Sequence, residues 1–213
     1  GLIGTALRSN NTLAILRLHL NILGPEDARE IGVGLRHNSG LRELHLDENL
    51  IYSEGVQHIA EALLHNTTLQ ILHLRDNHIG ALSGHQGPKT GTQHIGELLR
   101  HNTTLLELDL SENDFGEDET RHINDGLRNN TTLRQLLGLA LSPESQETLA
   151  RNTARGEAHD LAMATIRVLL AVWASFRQVR GTEKPVTASW QRTVVQQLPR
   201  VGLAELLQQL WTS

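Results

Sequence analysis

The feature that most limits what this chain can fold into is that it repeats itself. The frame L-x-x-L-x-L-x-x-N-x-(L/I/F) is met at every specified position in four copies. Leu13, Leu16, Leu18, Asn21 and Leu23 form the first, and Leu41, Leu44, Leu46, Asn49 and Ile51 the second. Leu69, Leu72, Leu74, Asn77 and Ile79 follow, then Leu105, Leu108, Leu110, Asn113 and Phe115. A degraded fifth copy starts at Leu133, so the spacings are 28, 28, 36 and 28 residues. A period in this range marks stacked supersecondary units, none of which can bury its own apolar face.

The second half of each period repeats as well. Ile31, Ile59, Ile95 and Ile123 are equivalent, as are Leu35, Leu63, Leu99 and Leu127. Their spacing of four puts Ile and Leu on one face of a helix. Asn38, Asn66, Asn102 and Asn130 close these helices and are expected in the left-handed conformation that ends a helix. Ile3, Leu7 and Asn10 match the same half, so the chain is expected to start inside a repeat. In each frame the fourth and sixth positions alternate inward on a short strand, while the third, fifth and seventh face out. The ninth-position Asn stands where the chain leaves the strand. Its amide can satisfy backbone groups in the turn and in the neighbouring repeat.

The 28-residue period, the L-x-x-L-x-L-x-x-N-x-(L/I) frame and the helix text GVQHIAEALLHNTTL (55–69) resemble the ribonuclease-inhibitor-like leucine-rich repeats. Relatives with such repeats include the C-terminal arrays of nucleotide-binding immune receptors and the Ran GTPase-activating proteins. The resemblance covers roughly residues 1–152. It implies an α/β horseshoe fragment with a concave parallel sheet, convex helices and protein ligands. Ribonuclease inhibitor itself is cysteine-rich, and this chain has no cysteine.

The outward strand positions are the candidate partner-binding residues. They read Ile15, Arg17, His19; Glu43, His45, Asp47; Ile71, His73, Arg75; and Glu107, Asp109, Ser111. A merely solvated face has no need of Ile, so a patch around Ile15, His45, Ile71 and His73 is the preferred site. The plain alternative is tolerated surface residues in a short array. The fourth repeat is acidic, with Glu107, Asp109, Glu112 and Asp114 followed by Glu117, Asp118 and Glu119. The last three suit a helix N-terminus. Glu107, Asp109 and Glu112 remain as contacts for a partner with a basic patch.

Other motifs are weaker. The long third spacing places an eight-residue insertion within residues 81–90, ALSGHQGPKT, read as a loop between strand end and helix. It lacks the G-x-x-x-x-G-K-(S/T) spacing of a phosphate loop. His58, His94 and His122 are equivalent on successive helices. Axes about 8–10 Å apart make three convergent ligands improbable, so no metal is expected there. His45 and His73 stack on the sheet. Sequons at Asn10, Asn66, Asn102, Asn129 and Asn130 follow from the repeat's own demand for Asn-Thr.

The charge divides unevenly. Residues 1–152 hold 12 Lys and Arg against 20 Asp and Glu, whereas 153–213 hold 7 against 4. A net charge of −5 argues against nucleic acid as a partner. The absence of cysteine removes disulfides, thiolate metal sites and a thiol nucleophile, and fits a cytoplasmic, intracellular protein.

Two domains are expected. Residues 1–152 form the solenoid, of about five repeats with the first and last incomplete. Residues 153–213 form a helical cap or docking segment. Ser142-Pro143-Glu144 reads as the start of a helix reaching about Arg151. A second helix covers 157–180, with Ala162, Ile166, Leu169, Trp173 and Phe176 spaced by three or four. Its apolar stretch is interrupted by Arg167 and too short for the ~18–20 residues of a membrane span. A linker at 181–188, a helix from Ser189 through 197 and a last helix at 203–211 complete the reading, with Trp173, Trp190 and Trp211 all in this segment.

The function expected from these residues is protein binding through the concave sheet and adjacent loops, without catalysis, cofactor, metal or nucleic acid. The alternatives are a GTPase-regulating protein and the ligand-sensing tail of an immune-type receptor.

Overall fold

In the computed structural model, the described residues are 2–80 and 90–180, with side chains followed to Arg167. The elements alternate: α1 (Leu2–Ser9), β1 (Ile15–Arg17), α2 (Pro25–Leu35), β2 (Glu43–His45), α3 (Tyr52–Leu63), β3 (Ile71–His73), α4 (Gly91–His101), β4 (Glu107–Asp109), α5 (Glu117–Leu127), β5 (Gln135–Leu137) and α6 (Pro143–Arg180). Two compact units divide the chain, Gly1–Ala154 and Arg155–Ser213.

The first unit has one layer of strands and one of helices. Its five strands form a single parallel sheet in the order β1-β2-β3-β4-β5. The register keeps each frame aligned with the next, with Leu16, Leu44, Leu72, Leu108 and Leu136 in one row. Helices α1 to α5 pack side by side in the same order. Parallel strands sit about 4.8 Å apart and packed helices about 8–10 Å, so the helix row is the longer arc and the sheet lies on the concave side.

The core lies between the two layers. Leu44, Leu46, Leu72, Leu74, Leu108 and Leu110 from the strands meet Ile31, Ile59, Ile95, Ile123, Leu35, Leu63, Leu99 and Leu127 from the helices, all of them buried. The first frame is the exception. Leu13 is 39% exposed and Leu16 and Leu18 are only partly covered, because β1 is an edge strand.

Two ladders of buried asparagine join the repeats. The first runs along the turns after the strands. The amide oxygen of Asn49 accepts from Asn21 N (3.1 Å) and Leu23 N (2.9 Å) of the preceding repeat. Its nitrogen donates to the carbonyls of Leu18 (3.0 Å) and Leu46 (2.8 Å). Asn113 repeats the pattern with Asn77 N, Ile79 N and the carbonyls of Leu74 and Leu110. The residues flanking these asparagines adopt left-handed backbone without being glycine: Leu20, Glu48, Asp76 and Glu112 before, and Ile22, His78 and Asp114 after. Each costs about 1–2 kcal/mol, offset by the amide bonds that the turn allows.

The second ladder follows the helices, and here the expectation of left-handed asparagine is corrected. Asn102 has φ −75° and ψ 133°, and neither it nor Asn38, Asn66 or Asn130 has positive φ. What the position requires is the amide. Asn102 Oδ1 accepts from Thr104 N (2.9 Å) and Leu105 N (2.7 Å), starting the next strand, while its nitrogen donates to Leu63 O of the preceding repeat (2.8 Å). Asn38, Asn66 and Asn130 make the same set of bonds. Asn66, Asn102 and Asn130 are buried, so three of the five sequons hold amides already committed inside the fold.

Helix α6 also corrects the expected break near Arg151. Ser142 caps it, its hydroxyl accepting from Ser145 N (3.2 Å), and Pro143 is the first helical residue. The helix then runs on to Arg180. Residues 152–156, NTARG, contain no proline, and one interior glycine costs only about 1 kcal/mol. In the second unit, Leu161 is 71% exposed and Met163 39%. Among the described residues no helix is long and apolar enough to cross a membrane. The loop read at 81–90 falls outside the described residues except for Thr90, which caps α4 by accepting from Gln93 N. The side chains of Trp173 and Phe176, and the segments read at 181–188, 189–197 and 203–211 with Trp190 and Trp211, also lie outside them.

Two outcomes follow from this packing. Asn102→Ala strands two N–H groups and a carbonyl, so urea unfolding should show a loss of about 2–4 kcal/mol, while the exposed Asn129→Ala stays within about 0.5 kcal/mol of wild type. Gly96→Ala should be destabilising, against the about 1 kcal/mol that helix propensity alone would return. A Cβ at Gly96 would stand 2.5 Å from the carbonyl oxygen of His122 on the neighbouring helix. Chemical denaturation gives the sign directly.

Candidate functional site

The parallel register turns the outward positions of separate repeats into rows across the sheet. One row is Ile15, Glu43, Ile71, Glu107 and Gln135; the next is Arg17, His45, His73, Asp109 and Leu137. His19, Asp47, Arg75 and Ser111 occupy the following outward position, where the ladder continues through Leu20 N to Asp47 O, Glu48 N to Arg75 O and Asp76 N to Ser111 O. All twelve sequence-selected strand positions thus share one face. From the second strand to the fourth they are held in fixed relation, because their inward neighbours Leu44, Leu46, Leu72, Leu74, Leu108 and Leu110 are buried in the core.

Their environments differ. Ile15 is 38% exposed on the edge strand, and Arg17 and His19 are exposed beside it. Ile71 is half-buried two strands away, with Glu43 and Glu107 on either side of it in the row. The apolar patch read around Ile15, His45, Ile71 and His73 is therefore interrupted by Glu43. Asp109 is turned to its own strand end, its Oδ1 accepting from Ser111 N at 2.9 Å. Asp47 Oδ1 accepts from Arg75 N at 3.2 Å. Arg75 and Glu112 are exposed and stand 4.0 Å apart.

At the centre, His45 and His73 meet edge to face, with ring centroids 4.4 Å apart. Their Nδ1 atoms are 3.1 Å apart. His73 Nε2 lies 3.0 Å from Glu107 Oε1, and His45 Nε2 lies 3.6 Å from Glu43 Oε2. Each imidazole thus points one nitrogen at the other ring and one at a carboxylate.

The fifth strand extends both rows with Gln135 and Leu137, the latter 38% exposed. These positions were missed because the fifth frame loses its sixth-position Leu to Gly138. Counting from Leu133 would have found them. Gly138 has φ +91°, and a Cβ there would meet Ser111 N at 2.3 Å, so only glycine fits. A shallow groove of about 410 Å³ touches Ile71, Glu107 and Gln135 together with Gln70, Leu106 and Arg134. A second groove, of about 770 Å³, lies between α5 and the start of α6. Its Arg128 pairs with Asp125 (3.7 Å) and Glu144 (3.3 Å), and its Arg121 with Asp118 (3.0 Å).

The helix-face histidines do not converge. His122 approaches Thr92 and Gln93 at 3.5 Å, and the described residues bring no metal-sized group together on that side. Glu117, Asp118 and Glu119 occupy the first turn of α5, where the helix dipole favours them.

The leucine-rich-repeat family model matches residues 65–83 and 101–118. The first unit has the fold of a leucine-rich-repeat solenoid. Among the solved structures similar to it is the leiomodin-1 actin-binding site 2, at 20% identity and a TM-score of 0.63, covering 78% of this chain and 96% of that one. Another is the tropomodulin C-terminal domain of Caenorhabditis elegans, at 16% identity and a TM-score of 0.61, covering 75% and 96%. At these identities the likeness is one of fold. A search of curated proteins gives no sequence match.

Proposed function

We propose that this solenoid is a protein-interaction module that binds its partner on the exposed sheet face. The observation that carries the reading is the register. It holds charged, imidazole and apolar side chains from five separate strands in two fixed rows, a pre-organised surface that loses little entropy on binding. The face carries Glu43, Asp47, Glu107, Asp109 and Glu112 against Arg17 and Arg75, which suits a partner presenting a basic patch. Chemistry of its own is not part of this reading, since the carboxylates and imidazoles lie on an open sheet and not in a recess. One specific partner class has support. The leiomodin-1 structure is that of an actin-binding site, and the fold is shared over 96% of that chain.

The test compares wild type with Ile71→Asp combined with His73→Glu, and with Arg100→Glu on the exposed side of α4. Thermal melts first establish that each variant folds. In quantitative pull-downs the sheet-face variant should lose the partners that wild type and Arg100→Glu retain, while an unchanged set would place binding elsewhere. Actin co-sedimentation of the wild type decides the actin reading: saturable binding weakened at least tenfold by the sheet-face pair supports it, and no binding sinks it.

A further inference from the structure

We infer that His45, His73 and Asp47 form a site for a divalent transition-metal ion, Zn²⁺ first, on the concave sheet face. This goes beyond the expectation that the chain takes no metal; it uses three residues of the face proposed above for a partner, but its test needs no partner. One nitrogen from each imidazole and one carboxylate oxygen of Asp47 lie within 4.8 Å of one another. Two imidazoles and a carboxylate are a recurring zinc donor set, and three protein ligands leave a fourth position for an exogenous ligand. Metal–nitrogen bonds of about 2.0–2.1 Å in a tetrahedral site put the two nitrogens about 3.3 Å apart, and the Nδ1 atoms here are 3.1 Å apart. The two nitrogens already stand at the spacing that a shared ion requires.

Proton placement points the same way. Glu107 is an acceptor, so His73 must hold its proton on Nε2 to bond it at 3.0 Å. Neutral His73 therefore presents a bare Nδ1 toward His45. If neutral His45 donates from Nδ1, its own Nε2 is bare, buried, without a hydrogen-bond partner and 3.6 Å from the Glu43 carboxylate. If His45 instead holds its proton on Nε2, toward Glu43, two Nδ1 lone pairs face each other at 3.1 Å. Each neutral tautomer of His45 leaves one repulsive contact. A cation between the Nδ1 atoms resolves it and fixes both protons on the carboxylate side. Glu43 and Glu107 then orient the rings from behind, the carboxylate–histidine–metal arrangement that raises ligand basicity. The side chains of His45 and His73 are only 16% and 22% exposed, so the rings are held and not free to swing.

The experiment titrates ZnCl₂ into the chelator-treated, tag-free chain by calorimetry, with no partner present. Wild type should bind one equivalent. His45→Asn and His73→Asn should abolish that event, and Glu107→Gln should weaken it by about 10–100-fold. His101→Asn, on the exposed side of α4, should leave it unchanged. Metal-free melting curves separate loss of binding from loss of fold. Electron paramagnetic resonance of Cu²⁺ bound to the wild type gives a readout that needs no variant, and should show coupling to two imidazole nitrogens. Absence of a one-equivalent event, its survival in both histidine variants, or coupling to a different number of nitrogens overturns the site. None of these results depends on whether the partner-binding reading holds.

Discussion

The structure depends on a carboxamide doing what no repeat can do for itself. Each strand–helix unit ends in turns whose N–H and C=O groups face the interior, and an unpaired buried backbone group costs about 1–3 kcal/mol. Asparagine has a donor and an acceptor on one short, flat group. It can therefore serve the turn of its own repeat and that of its neighbour together. Asn49 and Asn113 do so after the strands, and Asn38, Asn66, Asn102 and Asn130 before them. The leucine core supplies adhesion between layers, but these amides set the distance and register from one repeat to the next.

Register is what makes a surface out of sequence positions 28 or 36 residues apart. Because Ile15, Glu43, Ile71 and Glu107 are paired side by side, the backbone fixes the order of groups along the outer face. The charges and apolar groups of this face are set in place by the register, and His45 and His73 meet each other for the same reason.

Much of this was legible in the residues. The frame alone specifies the strands, the inward leucines and the outward rows, since period-two alternation leaves no freedom about which side chains emerge. It also indicates the helix faces through Ile31, Ile59, Ile95 and Ile123. Other features needed coordinates. Asn102 was read as a left-handed terminator because helix ends commonly use one, whereas its work is done by the side chain in extended backbone. The continuity of α6 through residues 152–156 turned on the weakness of a single glycine as a breaker. The convergence of Asp47 on two histidines depends on side-chain reach at the strand ends, which spacing does not encode. The metal ladder weighed from spacing was on the helices, and the structure brings together the other pair.

The turn of the second repeat departs from its neighbours. There Leu50 is not left-handed while Tyr52 is, with φ 55°, and Tyr52 N bonds the backbone carbonyl of Asn77. The amide oxygen of Asn77 is left buried with nothing to accept, where those of Asn49 and Asn113 each take two N–H groups. A stack of like units parts where the coupling between neighbours is poorest. Partial opening of this array, and the earliest loss of amide-exchange protection, would then begin at the seam between the second and third frames, separating Leu13–Leu46 from Leu69–Leu110 as two cooperative blocks.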